Sequence, residues 1–219
     1  MSIVVSELFM RKTLVDIFNA MDDFTKFKRL PKRIFLDTNV LQYLQDFSEY
    51  IFDNHRENEN YFLSPRGKRI SRNDSLYNEI VALKNVFLGI DRTNFEFALS
   101  ETVFKEVAAK HDDAFYRWFC DVRAHWYSVM LAYQGHAFSK TAIERYQQAS
   151  HDKSLLANLS ITDRKIILDA IRFDCNALLT VDKFADKNKQ IFTYTKYRLM
   201  ILKPTDFIRI LQPFQALYL

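Results

Sequence analysis

The sequence predicts an α/β protein in which a parallel β-sheet lies between two helical layers, a three-layer α/β/α arrangement. Three observations predict it. Short apolar runs at 34–36 (IFL), 177–181 (ALLTV) and within 198–202 (RLMIL) read as strands buried on both faces. Stretches of helical periodicity alternate with them, and strand–helix alternation is the pattern of a parallel sheet. Hydrophobic residues make up 48% of the chain, while Gly and Pro number only 3 and 4, which suits packed helices better than disorder or a Gly-rich β architecture.

Taken in order, residues 5–24 place Leu8, Val15, Phe18 and Met21 near one helical face. Residues 1–30 then form an N-terminal helical extension, a packing element or a dimer arm, which Pro31 ends. A single domain spans 31–219. Its first strand closes on Asp37, and a helix follows over 40–52. Residues 55–74 lose periodicity around Pro65 and Gly67 and read as a polar loop. Leu76, Ile80, Leu83 and Phe87 mark a helix that stops at Gly89. Residues 95–100 alternate as a strand, and Ser100 is a natural cap for the helix carrying Glu101 and Glu106. Helices over 113–133 and 140–149 come next, so that 46–94 and 111–155 are helical insertions into the domain. A helix opens at Thr162-Asp163, the strand 177–181 leads to Asp182, and a last strand passes through Pro204 into a final helix.

Charge and cysteine usage narrow the class. A net charge of +4 is a mild basic surplus that favours a polyanionic partner. Cys120 and Cys175 lie in apolar helical patterns without CxxC or His spacing, so neither a disulfide nor a zinc site is expected, and a reducing cytoplasm fits. The N-terminal stretch is interrupted by Glu7 and its positive charges follow it, unlike a signal peptide. No other segment has the run of about 18 apolar residues that a membrane span needs.

The chemistry is expected in the acids. Two buried strands end on Asp37 and Asp182, Asp163 starts a helix, and Glu106 sits near the start of another. In open parallel sheets the crevice lies beyond the carboxyl ends of the strands, where helix N-termini also arrive, so these acids can converge. Like charges at close range raise one another's pKa and destabilise the empty site, which makes a cation the natural occupant. Oxygen-only ligands suit Mg²⁺ or Mn²⁺, which can activate water and neutralise charge on a phosphodiester.

The segments FLDTNVL, SETVFKEV, TDRKIILDAI and LLTVDKF resemble, in order, the acidic motifs of PIN-domain nucleases, including the VapC-like toxins of toxin–antitoxin pairs. The resemblance covers about 33–45, 95–110 and 160–210. It implies a PIN-like sheet of about five parallel strands and Mg²⁺- or Mn²⁺-dependent endonucleolytic cleavage, usually of RNA. It also implies that Asp37, Glu106, Asp163 and Asp182 are the metal-site and catalytic acids, supported by Asn39 and Thr180. An antitoxin or other regulatory protein, and a homodimer, are partners that this family suggests.

Competing assignments stand beside these. Asp37 could be a turn cap, Glu101 is the rival of Glu106, and Asp169 is the rival of Asp163 but lies mid-helix. Asp186 is a candidate accessory acid, or a solvated residue beside Lys187 and Lys189. Arg66, Lys68, Arg69 and Arg72 follow Tyr61 and Phe62, a combination suited to single-stranded nucleic acid, although a solvated loop is the plainer expectation. A dehalogenase-type phosphatase would need an Asp where Asn39 stands. The alternative function is a PIN-fold RNA-binding module that is catalytically silent or masked by a partner.

Overall fold

The computed structural model describes residues 14–52, 61–63, 69–88, 95–134, 139–157, 159–182 and 187–214. Four short strands, β1 (Arg33–Leu36), β4 (Glu96–Ala98), β5 (Ala177–Leu179) and β6 (Met200–Leu202), form a parallel sheet in the order β4-β1-β5-β6. The register sets Ile34 between Phe97 and Ala177, and Leu178 beside Ile201. Ile34, Phe35 and Leu36 are all fully buried, although successive strand side chains point to opposite faces, so both faces of the sheet are covered. That is compatible with three layers. Among the described residues the parallel sheet has four strands, against the five that the resemblance implies.

The helices that cover the sheet follow from local signals. Asp37 caps α3 (Thr38–Asp46), and Ser100 caps α6 (Glu101–Ala109) by accepting the Val103 N–H at 3.4 Å. Ser160 caps α10 (Ile161–Arg172), and Pro204 opens α12 (Pro204–Leu211) at a position where its missing N–H costs nothing. α6 packs against both α10 and α7 (Asp113–Gln134), while α10 also packs against α8 (Lys140–Ser150). A second group joins α12 to α5 (Ser75–Leu88) and to α1 (Leu14–Asn19), which also contacts α11 (Lys187–Tyr197).

The expected helix over 5–24 is interrupted. Asp22 accepts hydrogen bonds from the Thr25 N–H at 3.0 Å and the Thr25 hydroxyl at 2.6 Å, which caps the start of a new helix, α2 (Asp23–Arg29). Capping chemistry there overrides apolar periodicity. Residues before 14 lie outside the described residues. Leu14, Val15 and Phe18 of α1 belong to the same core as the sheet. The helix expected over 40–52 likewise divides at Phe47 into α3 and α4 (Ser48–Phe52).

The polar loop expected over 55–74 contains an antiparallel hairpin, β2 (Tyr61–Leu63) with β3 (Arg69–Ser71), in which Phe62 pairs with Ile70. Ile70 is buried, and Asp74 holds the end of β3 through the Ser71 N–H at 2.7 Å. Three-residue strands are too short for alternation to declare itself. Ile51, Leu83, Phe115 and Phe119, from the segments expected as insertions, lie in the same hydrophobic cluster as the sheet residues. α9 (Lys153–Leu156) and α11 complete the described α-helices, and a 3-10 turn, Gln212–Phe214, follows α12. No helix among the described residues is long and apolar enough to cross a membrane.

Candidate active site

Strand order places the crevice. The chain leaving β1 returns at β4 on one side of it, and the chain leaving β5 returns at β6 on the other side. The carboxyl ends of β1 and β5 therefore flank a topological switch point, the usual ligand crevice of an open α/β sheet. Asp37 directly follows β1, and its N–H donates to the Leu179 carbonyl at 3.1 Å, extending the ladder by one bond. Thr180 and Asp182 follow β5. A polar residue directly follows each strand at this edge, Asp37 after β1 and Thr180 after β5.

Hydrogen bonds lace the two strand ends together. The Thr180 hydroxyl donates to Asp37 Oδ2 at 2.6 Å, and Asn39 Nδ2 donates to the same oxygen at 3.0 Å. Asn39 Oδ1 in turn accepts the Val181 N–H at 3.3 Å, while Thr180 Oγ1 accepts the Asp182 N–H at 3.1 Å. Asp37 Oδ1 accepts the Thr38 N–H at 2.7 Å. Asp37 is therefore a helix cap as well as a member of the acid cluster. Asn39 and Thr180, expected as supporting residues, both touch it.

Asp37 is only 3% exposed. Withdrawal from water pushes its pKa up to about 7, the nearby Asp182 and Glu106 charges add to the rise, and the Thr180 and Thr38 hydrogen bonds oppose it. Loss of hydration also raises Asp182, whose carboxyl feels Asp163, while the Asn39 amide and the Lys110 ammonium pull it down. Each expected acid thus lies within the electrostatic reach of another. The influence is pairwise: Asp182 and Glu106 act on Asp37, and Asp163 acts on Asp182.

Glu106 stands on the second turn of α6, and the Thr38 hydroxyl donates to its Oε2. Glu101 is turned outward and pairs with Lys105 at 2.7 Å, so Glu106 is the acid beside Asp37. Asp163 closes a capping box: Ser160 Oγ accepts its N–H at 3.0 Å, and its Oδ2 accepts the Ser160 N–H at 3.3 Å. Asp169 instead accepts the Thr102 hydroxyl at 2.6 Å and ties α10 to α6. Asp186, Arg66 and Lys68 lie outside the described residues, Arg69 opens β3, and Arg72 is exposed.

Two contributors were not read from the sequence. Thr38 lies inside the first motif and orients Glu106, and Lys110 stands one helical turn beyond Glu106. Lys110 is held by Gln42 Oε1 and biases Asp182. The i, i+4 spacing from Glu106 was the available signal. The donor set is all oxygen, and the buried Asp37 carboxylate is disfavoured as an isolated anion, so these residues fit a hard divalent cation in their chemistry. Among the described residues, no group of three or more His, Cys, Asp or Glu side chains stands in metal-holding geometry. No family model, curated protein or solved structure matches this chain.

Proposed function

We propose that the chain is a divalent-metal-dependent endoribonuclease of PIN-like fold, hydrolysing phosphodiester bonds of RNA in the cytoplasm. The observation that carries this reading is the bond from Thr180 to Asp37 across the switch point, with Asn39 on the same oxygen and the Glu106 and Asp182 charges close by. Asp37, Glu106, Asp163 and Asp182 would hold Mg²⁺ or Mn²⁺, which when bound activates water and balances charge on the phosphodiester.

The chain's own residues prepare that site. Thr180 and Asn39 aim the Asp37 carboxylate, Thr38 orients Glu106, and the capping box holds Asp163 at the first turn of α10. Asn39 also grips the backbone at Val181, so the distance between the two strand ends is set by side chains as well as by the sheet. Lys110 lessens the repulsion on Asp182 and brings a positive charge to the edge where a phosphate would arrive. Pre-set donors and acceptors of this kind do not have to reorganise during reaction.

Incubation of single-stranded RNA with the purified chain in Mg²⁺, in Mn²⁺ and in chelator tests the reading. Internal cuts that need the ion and vanish in Asp37→Asn are expected. Equal cutting in chelator overturns it. A second reading, an RNA-binding module that does not cut and acts with an antitoxin or other regulatory partner, draws support from the Thr38–Glu106 contact, which engages one of the acids internally. Binding without cleavage in every ion would favour that module.

A further inference from the structure

Beside the acid cluster, a cavity of about 810 Å³ opens between α6 and α10, with Phe119 and Arg123 of α7 on one side. Glu106 and Thr162 both line it, and Thr162 directly precedes Asp163, so the cavity shares a wall with the candidate active site. Its floor is braced by the Thr102–Asp169 bond at 2.6 Å. This volume lies in the range of small-molecule and nucleotide pockets.

The walls combine a stacking platform with a cation. The Arg123 guanidinium lies 4.8 Å from the centroid of the Phe104 ring, which is backed by Tyr116 at 5.9 Å and Phe119 at 6.1 Å. Aromatic and guanidinium planes of this kind are what unpaired bases stack on. Lys105 is occupied by Glu101, and Arg172 lies over the Tyr146 ring. The Lys165 side chain, by contrast, has no hydrogen-bond or ion-pair partner among the described residues and lines the cavity. Ile161, 71% exposed, offers an apolar surface one residue from Thr162.

We propose that this cavity is a subsite for one unpaired nucleotide of a single RNA strand next to the bond that is cut, with its base on the Phe104–Arg123 platform and its phosphate at Lys165. The inference rests on the ribonuclease reading. Paired RNA is excluded, because stacking on a protein ring requires a base that has left its own stack. The acids and the subsite then divide the work: the acids act on one phosphate, and the cavity decides which strand geometry delivers it.

Cleavage of a single-stranded oligoribonucleotide by the full chain in Mn²⁺, compared with Arg123→Gln, Lys165→Gln, Lys165→Arg and the remote control Lys32→Gln, tests the subsite. Arg123→Gln and Lys165→Gln should each raise KM roughly tenfold with little change in kcat, from the usual strength of a stacking or phosphate contact. Lys165→Arg should restore KM, Lys32→Gln should match the parent, and Lys165→Gln should lower the salt slope of binding by about 0.7. If the parent cuts and the two Gln variants keep its KM, the subsite is wrong and the ribonuclease reading stands. If the parent cuts nothing in any ion, the ribonuclease reading fails, and fluorescence anisotropy with the same RNA decides the subsite. Weaker binding by both Gln variants there upholds the cavity as a site for an unpaired nucleotide but removes its place beside a cut bond, and unchanged or absent binding overturns the site.

Discussion

The Thr180 hydroxyl donates a 2.6 Å hydrogen bond to Asp37, a residue 143 positions earlier in the chain, and both side chains are buried. This contact joins the carboxyl ends of adjacent parallel strands and fixes the direction in which the first acid points. Thr180→Val keeps the shape and removes the donor. The variant should lose about 1–3 kcal/mol at alkaline pH in chelator, where Asp37 is ionised, because a buried charged acceptor loses a partner. Urea denaturation at pH 8 measures it, and a loss under a few tenths of a kcal/mol would mean that the bond does not hold the strand ends.

Asp37 also makes metal-free stability depend on pH. Its pKa is raised from an ordinary 3.8 to about 7, so the folded chain binds this proton more tightly than the unfolded chain does. Its contribution to stability is therefore greatest below about pH 4 and is lost as pH rises through about 7. Asp37→Asn should remove that slope and be at least as stable as the parent at pH 8 in chelator. Denaturation midpoints from pH 4 to pH 8 read this directly, and parallel curves for the two proteins would contradict it.

Asp152 carries the opposite sign. It caps α9, accepts hydrogen bonds from Lys196 and Tyr197 of α11, and is held down to about 2 by these partners. Its stabilisation is present above the ordinary carboxylate value near pH 4 and disappears as pH falls toward 2. Asp152→Asn should lower stability at pH 7 and flatten the acid limb between pH 4 and pH 2. Circular dichroism against pH checks it, and an unchanged acid limb would rule out this residue as a cause of acid unfolding.

Ser160 positions Asp163 through the capping box. Ser160→Ala should cost about 1 kcal/mol of stability, the usual value of a lost N-cap, and should also weaken RNA cleavage by loosening the acid on its first turn. Thermal melts and cleavage rates on the same preparation separate the two effects. Full activity with reduced stability would place Asp163 outside the working site.

The parts of the fold that were legible in sequence carry their signals locally. β1 ending on Asp37, the Ser100 cap before α6, and β5 leading into Thr180 and Asp182 each show in a few consecutive residues. The β2–β3 hairpin did not show, since pairing Phe62 with Ile70 makes strands out of segments too short to alternate. α11 was also missed. Its buried positions include Gln190, Thr193 and Tyr197, so polar groups occupy the inner face that apolar periodicity would have marked. Within the site, Thr38 reaches Glu106 across 68 positions, a contact that only the meeting of α3 and α6 creates.

The central claim is that the acids gathered at the ends of β1 and β5 hold a divalent ion through Asp37. Thermal melting of the parent and of Asp37→Asn, each in chelator and across a Mn²⁺ titration, tests it most directly. Ligand stabilisation follows RT ln(1 + [L]/Kd), so the parent should gain stability with Mn²⁺ while the variant, having lost a ligand, gains clearly less at every concentration. A parent that shows no Mn²⁺-dependent rise, or a variant whose rise equals it, would contradict the account.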